Sequence, residues 1–381
     1  GSSLSLSATA VANVGAVAAL AMLTGNIGRS GTGVYPLSSG ANSQGLADMG
    51  VRPDRLPGGF PSTDPEARAR MEGYWGAALA GASPGRTVTE MLDAAEAGEI
   101  GFLYVVGADP ALSLADETRV RKALQAVGFL VVEDSFLTDT AGYADVVLPA
   151  TVASEDDGTF TNGERLVQRV RPAAPALGES LPDWKILRDL ANRLGGGWMY
   201  DAPEQVMREI AEVVPVYGGV SYARLGHESL QWPCPGTEHP GTPVLHVDEF
   251  ARGKGAFAPA GLAVAPTGTD VDYPFALLTG AVLEHHGTGV RSRRSAGLTK
   301  LVEEAKIEVH PRDAERLGLA DGDLVRVVGH TLEAIELPAL VSDRIPEGSV
   351  FAPGFSPAAP VTRLIARNAQ GVPAVRVERL G

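Results

Sequence analysis

The sequence predicts an α/β protein, an open and mostly parallel sheet domain followed by a closed C-terminal β-barrel. The runs Phe102–Val106, Phe129–Val132 and Val146–Leu148 are apolar throughout, as strands covered on both faces are, and a helical stretch over 115–127 separates the first two. Between about 270 and 381 the short runs FALLTG, KIEVH, LVRVVG, AIELPALV, SVFAPG and AVRVERL recur between turn signals, the pattern of a closed sheet.

Taken in order, the apolar, small-residue stretch from Ala8 to Leu23 reads as a buried helix that packs closely and is ended by Gly25 and Asn26. It has no basic flank, which argues against a secretory signal, and the opening Gly-Ser-Ser run reads as a cut chain. A long loop rich in Gly, Ser, Asn and Pro follows, keeps apolar residues at intervals, and is expected to be ordered and functional. Residues 64–80 and 87–97 have helical spacing. Residues 151–180 read as polar and irregular. The segment PDWKILRDLANRLG reads as an amphipathic helix with Trp184, Leu187, Leu190, Ala191 and Leu194 on one face. From about 215 to 268 the chain reads as a wrapping connector, and PRDAERLGLADGD adds a helix and a turn inside the barrel region. The expected domains are 1–150 (α/β), 151–268 (a polar connector with helices) and 269–381 (the barrel).

Composition bounds the function. The chain has 381 residues, enough for two or three domains, and a formal net charge of −14, which argues against nucleic acid or an anionic membrane as the main partner. Its one cysteine, Cys234, excludes an internal disulfide and a self-contained iron–sulfur cluster, and between prolines it reads as structural.

Against that acidic background, the stretch after the run FALLTG gathers His285, His286, Thr288, Arg291, Arg293 and Arg294 around glycines. Adjacent histidines on a strand point to opposite faces and do not chelate one metal together. Arginine supplies planar, multidentate donors for phosphate, so the cluster reads either as the seat of a large anionic ligand or as a set of interdomain salt bridges. In an open sheet, ligands bind at the carboxyl ends of the strands. Those ends carry Gly107, Asp109 and Pro110 on one strand and Glu133, Asp134 and Thr138 on the next, where the acids accept bonds from a ligand or cap a helix. The segment EDDGTFTNGERLVQR, with Thr161, Asn162, Arg165 and Gln168, reads as a polar ligand lip or a capped turn.

Five stretches, taken in order, carry a resemblance. They are LAMLTGNIGRSGTGVYPLSSGANSQGLADMG, FLVVEDSFLTDTAGYADVVLPATVASEDDGTFTNGERLVQRV, PDWKILRDLANRLG, YPFALLTGAVLEHHGTGVRSRRS and VEEAKIEVHPRDAERLGLADGDLVRV. Together they resemble the molybdopterin oxidoreductase superfamily, which includes formate dehydrogenases, nitrate reductases and the large G chain of NADH-quinone oxidoreductase (respiratory complex I). The resemblance implies a bis(molybdopterin guanine dinucleotide) cofactor capped by a C-terminal double-psi β-barrel. It implies that Gly107, Asp109, Pro110, Glu133, Asp134 and Thr138 hold a guanosine end. It also implies that Thr279, Gly280, Leu283, His285, His286 and Thr288 meet the pterin and pyrophosphate, with Arg291 and Arg294 on the pyrophosphate.

Three departures qualify it. The iron–sulfur cysteines and the Cys or selenocysteine on molybdenum belong upstream, so this chain is expected to be the C-terminal part of a larger protein with no metal ligand or catalytic residue of its own. The run EHHGT stands where formate dehydrogenases carry a Tyr-His-Tyr-His-Thr-like run. FAPGFSPAAPVTRLIARN stands where they carry an Ala-Asn-x-Leu-Thr pattern. These departures favour the G-type chain, supporting electron transfer from NADH to quinone, with the pterin cofactor retained or lost and iron–sulfur clusters only in upstream or partner regions. The alternatives are the C-terminal part of a molybdenum or tungsten formate dehydrogenase catalytic subunit and a non-catalytic assembly module. The implied partners are the upstream iron–sulfur region and other respiratory or dehydrogenase subunits. The implied location is cytoplasmic or peripheral on the inner face of the membrane, without direct insertion.

Overall fold

The computed structural model describes residues 9–37, 40–81, 83–257, 267–367 and 371–380. The chain forms two compact units, one of Gly1–Val88 with Ala150–Ala263, the other of Thr89–Pro149 with Val264–Gly381. This division cuts across the linear one expected from sequence. The parallel sheet belongs with the barrel, and the N-terminal segment belongs with the middle of the chain.

The strands in chain order are β1 (Arg55–Leu56) and β2 (Phe60–Pro61), β3 (Leu103–Val106), β4 (Leu130–Asp134) and β5 (Val146–Pro149), β6 (Gly158–Thr161), β7 (Leu166–Val170) and β8 (Leu230–Gln231). The barrel strands are β9 (Phe275–Gly280), β10 (Ile307–Val309), β11 (Leu324–Gly329), β12 (Ala334–Val341), β13 (Ser349–Pro353) and β14 (Ala374–Arg379).

In the first unit, β7 pairs antiparallel with both β6 and β8. The β6–β7 turn is held by Asn162, whose Oδ1 accepts from the amides of Glu164 (2.9 Å) and Leu166 (3.0 Å). This hairpin occupies part of the stretch expected to be irregular, and it makes Asn162 a turn cap. Thr161 faces inward at 3.1 Å from the Tyr217 hydroxyl, which donates to Asp48 at 2.7 Å. Val167, Met207, Val213, Val214, Tyr217 and Leu230 lie in the unit's core, as does the fully buried Cys234.

Two expectations of burial fail here. The helix Ala10–Leu23 has no buried residue, and Val11 and Leu23 are 89% and 75% exposed. Apart from Asn13 its residues are apolar or small all round, so nothing in its periodicity selects a packing face. Ala8, where this helix was expected to start, lies outside the described residues. In the helix Asp183–Arg193 the buried residue is Ile186; of the predicted row Trp184, Leu190 and Ala191 are half-buried, while Leu187 and the C-cap Leu194 are exposed. Among the described residues no helix is long and apolar enough to cross a membrane.

In the second unit, β3, β4 and β5 form a parallel sheet in that order, with Leu103 opposite Leu130 and Val131 opposite Val146. The β3–β4 crossover is made by the short helix Pro110–Ser113 and the helix Glu117–Ala126. The second of these packs Val120, Ala123 and Leu124 onto Leu130 and Val132. The barrel closes in the order β10-β12-β11-β14-β9-β13, with β10/β12 and β9/β13 parallel and the other pairs antiparallel. Val325, Val327, Ile335, Leu337, Val350, Val375 and Val377 fill it. This is the predicted α/β sheet followed by a closed barrel.

Sheet and barrel are joined at Glu117, which is 1% exposed. Its carboxylate pairs with Arg121 one helical turn on and accepts from Arg363 Nε at 2.9 Å. Arg363 sits on the 3-10 turn Val361–Leu364, which runs against the barrel. The neighbouring Asp116 amide donates to the carbonyls of Thr362 (3.0 Å) and Ile365 (2.8 Å). On the barrel side the approach is so close that a Cβ on Gly329 would lie 2.5 Å from the Leu364 carbonyl oxygen. Burial opposes the charge on Glu117, and the hydrogen bonds from Arg363 and Arg121 outweigh it, leaving its pKa below the usual carboxylate value.

Removing the charge, as in Glu117→Gln, leaves Arg363 without its carboxylate while Arg121 keeps Asp139, and should lower stability by about 1.5–3 kcal/mol in urea unfolding. The same link predicts an acid limb. With a depressed folded pKa, the contribution of Glu117 is complete above its unfolded value of about 4.3 and is lost as pH falls through the folded value. A pH series of unfolding midpoints should show this limb in the wild type and a shallower one in Glu117→Gln.

Candidate functional site

The candidate site lies in the second unit, where the carboxyl ends of β3 and β4 meet the loop that follows β9. The chain turns sharply at Gly107 with φ of +59°. Asp109 then precedes the short helix that starts at Pro110. The Asp109 side chain does not cap that helix. Its Oδ1 instead accepts from the Thr140 amide (2.9 Å) and hydroxyl (2.6 Å), while Thr140 Oγ1 accepts from the Ala111 amide at 3.0 Å. Asp109 is 7% exposed, and its Oδ2 has no hydrogen-bond partner among the described residues.

At the end of β4, Glu133 is fully buried and accepts from the Tyr104 hydroxyl. Asp134 turns the chain by accepting from the Phe136 amide at 3.0 Å, and Thr138 accepts from the Ala141 amide at 3.2 Å. Burial pushes the Asp134 carboxyl up. The Phe136 and Ser135 amides and the nearby Arg291 pull it down, and the charge of Asp109 adds to the rise.

The loop after β9 supplies the opposite charge. Arg291 precedes the 3-10 turn Ser292–Arg294. Arg294 donates to the Leu137 carbonyl at 3.2 Å and lies over the Phe136 ring at 4.6 Å, which ties the turn to the segment after β4. Arg293 is half-buried. Burial lowers its pKa, Arg294 lowers it further, and Asp139 and Asp109 oppose them. Its Nε has no hydrogen-bond partner among the described residues.

The fourteen residues expected from sequence divide accordingly. Asp109, Pro110, Asp134 and Thr138 are brought to one place with Arg291 and Arg294, and Gly107 is exposed beside them. Glu133 is turned into the sheet. Thr279 and Gly280 are exposed at the end of β9, as is His286 in the loop beyond, and Thr288 is half-buried. His285 is 1% exposed and points inward. Leu283 is 98% exposed and borders a separate cleft of about 1290 Å³ on the barrel, whose lining includes Glu284, Glu303, Glu304 and Glu308. The same lining carries Lys300, Lys306 and Arg344, so its charges nearly balance, whereas the turn after β9 gathers Arg291, Arg293 and Arg294. Among the described residues no group of three or more His, Cys, Asp or Glu could hold a metal ion.

Sequence reasoning left Arg293 and Thr140 out of the expected set. The RSRR run does signal Arg293. Nothing local marks Thr140, whose partner Asp109 is thirty-one positions away.

The comparisons with known proteins agree with this architecture. The molybdopterin oxidoreductase family matches residues 1–193, and the "Molydopterin dinucleotide binding domain" matches residues 275–375. The chain is 43% identical over 346 residues to the F420-dependent formate dehydrogenase 2 subunit alpha of Methanococcus maripaludis, covering 90% of this chain and 50% of that protein. It is 39% identical over 341 residues to a putative formate dehydrogenase of Bacillus subtilis, covering 89% of this chain and 34% of that one. Acetylene hydratase from Pelobacter acetylenicus shares the fold with a TM-score of 0.59 at 18% identity, over 77% of this chain and 46% of that one. The chain therefore spans half or less of the length of these relatives. Both sequence relatives are named as formate dehydrogenases, the second as a putative one, which favours the alternative reading over the G-type chain of complex I. The chain belongs to the molybdopterin oxidoreductase family.

The buried Thr140 hydroxyl links two strand ends. Thr140→Val should cost about 1–3 kcal/mol, because it strands the Ala111 amide and removes a donor from Asp109. Thermal unfolding should show the loss, and Thr140→Ser should recover most of it.

Proposed function

We propose that this chain is part of a formate-dehydrogenase-type catalytic subunit, and that its strand-end carboxylates and arginine turn hold a molybdopterin guanine dinucleotide. The supporting observation is the pairing of an unpartnered, buried Asp109 Oδ2 with the cationic turn of Arg291, Arg293 and Arg294. The donor set suits the group. A carboxylate only accepts, and guanine offers N–H donors on its edge. Guanidiniums are the fitting donors for a pyrophosphate.

In this reading Asp109 and Asp134 take the guanosine end, with Gly107, Pro110 and Thr138 shaping the walls. Arg291 and Arg294 take the phosphates, with Arg293 behind them. Thr279, Gly280, Thr288 and His286 border the path towards the pterin. When bound, the group would supply two-electron redox chemistry at molybdenum or tungsten, and this chain's residues bind and orient it. Further subunits fit the word subunit in the name of the Methanococcus maripaludis relative, and any iron–sulfur clusters would lie outside these residues. A cytoplasmic location fits the same reading, with any membrane contact made through partners.

GDP stands in for the guanosine and phosphate end. Calorimetric titration should give binding to the wild-type chain that weakens about ten-fold or more in Arg291→Ala and Arg294→Ala, the loss of one charge-assisted contact. Circular dichroism should be unchanged. Equal GDP affinity in wild type and both variants would remove the arginine turn from the site.

A further inference from the structure

His285 was expected to face a ligand, and its environment gives it another task. The ring is 1% exposed and stacks on Phe355 with centroids 4.3 Å apart. Nε2 lies 2.8 Å from the Val302 carbonyl, which can only accept, so Nε2 carries the proton. Nδ1 hydrogen-bonds with the Ser292 hydroxyl at 3.1 Å. Ser292 begins the 3-10 turn and sits between Arg291 and Arg293. One imidazole thus fastens the arginine turn to the segment that follows the helix Ala296–Leu301 and to the barrel wall at Phe355.

The rest of the loop depends on that point. The Gly289 amide donates to His286 O at 2.9 Å, the Arg293 amide to Gly289 O at 2.9 Å, and the Thr299 hydroxyl to Arg293 O at 3.1 Å. Gly289 has φ of +72°, and a Cβ there would lie 3.0 Å from the Phe355 carbonyl oxygen, so the loop lies flat against the wall that the imidazole stacks on. Three neighbouring arginines repel one another, and one of them, Arg293, is half-buried. The backbone that holds them together needs an anchor, and His285 and Thr299 supply side-chain bonds to it on the barrel side.

We propose that His285 is the positioning residue of the anion-binding turn: through its two ring nitrogens it clamps Ser292 to Val302 and so fixes where Arg291, Arg293 and Arg294 present their donors. The inference rests on the reading of that turn as the phosphate side of the site, and it concerns the conformation of the turn before any ligand arrives.

The test uses the full chain with His285→Leu, Ser292→Ala and the double variant. Hydrogen exchange reads the turn directly. Amides of 289–299 should exchange at least ten-fold faster in His285→Leu and in Ser292→Ala, with β11 and β12 amides unchanged. GDP affinity should fall about ten-fold in each single variant. The double variant should be no worse than the worse single, because both cut one clamp. Ser292→Ala leaves the barrel core intact, so it decides the matter if His285→Leu fails to fold. Unchanged exchange over 289–299, or additive losses in the double variant, would overturn the proposal. If the wild type does not bind GDP, the ligand reading fails, and the exchange measurement still decides the positioning role.

Discussion

A carboxylate buried between two guanidiniums fixes where the barrel lies against the parallel sheet. Glu117 begins the helix that crosses from β3 to β4, Arg121 follows it by one turn, and Arg363 comes from a turn about 250 positions away in the chain. A buried charge of this kind adds little net stability over an apolar contact, yet it tolerates little displacement, because either guanidinium moving away takes a charge-assisted hydrogen bond from a buried carboxylate. The backbone bonds from Asp116 and the close approach at Gly329 make the same junction. The candidate site depends on it, since the site has one half on the strand ends and the other on the barrel's first loop.

The two halves are chemically complementary but are not simply neutralised by each other. Arg294 reaches a carbonyl and an aromatic face, and Arg291 acts on Asp134 through space. One carboxylate oxygen on Asp109 and one guanidinium nitrogen on Arg293 are left over inside the protein. Buried polar atoms are rarely left without partners, and although others occur elsewhere, these two offer an acceptor and a donor on the two halves of the same site. A guanine nucleotide has both. The cleft beside Leu283 mixes four glutamates with Lys300, Lys306 and Arg344 and lacks a comparable run of arginines.

Much of this was legible in the sequence. Uniformly apolar runs located β3, β4 and β5, and alternating short runs located all six barrel strands, because both patterns report burial directly. The hairpin β6–β7 was not legible. Its strands are half polar, and it is held by an asparagine turn and by a tyrosine far along the chain. The helix Ala10–Leu23 misled because an all-apolar composition signals burial without saying against what. In the site, charge clustering revealed Arg291 and Arg294, while the inward turn of His285 and the bond between Asp109 and Thr140 arise only from tertiary packing. The choice between a formate dehydrogenase and a complex I chain turned on departures in two loops, which sequence motifs weighed one way and relatedness along 90% of the chain weighed the other.

The central claim is that the sheet ends and the arginine turn form the seat of a guanine dinucleotide pterin. The most direct measurement is the guanine nucleotide and oxidised-pterin content of the natural protein that contains this chain, released by acid and quantified against protein. The account predicts GMP and fluorescent pterin in equal amounts, at about two of each per polypeptide, together with molybdenum or tungsten. Protein that carries neither GMP nor pterin would contradict it, and would leave the fold as a scaffold without its cofactor.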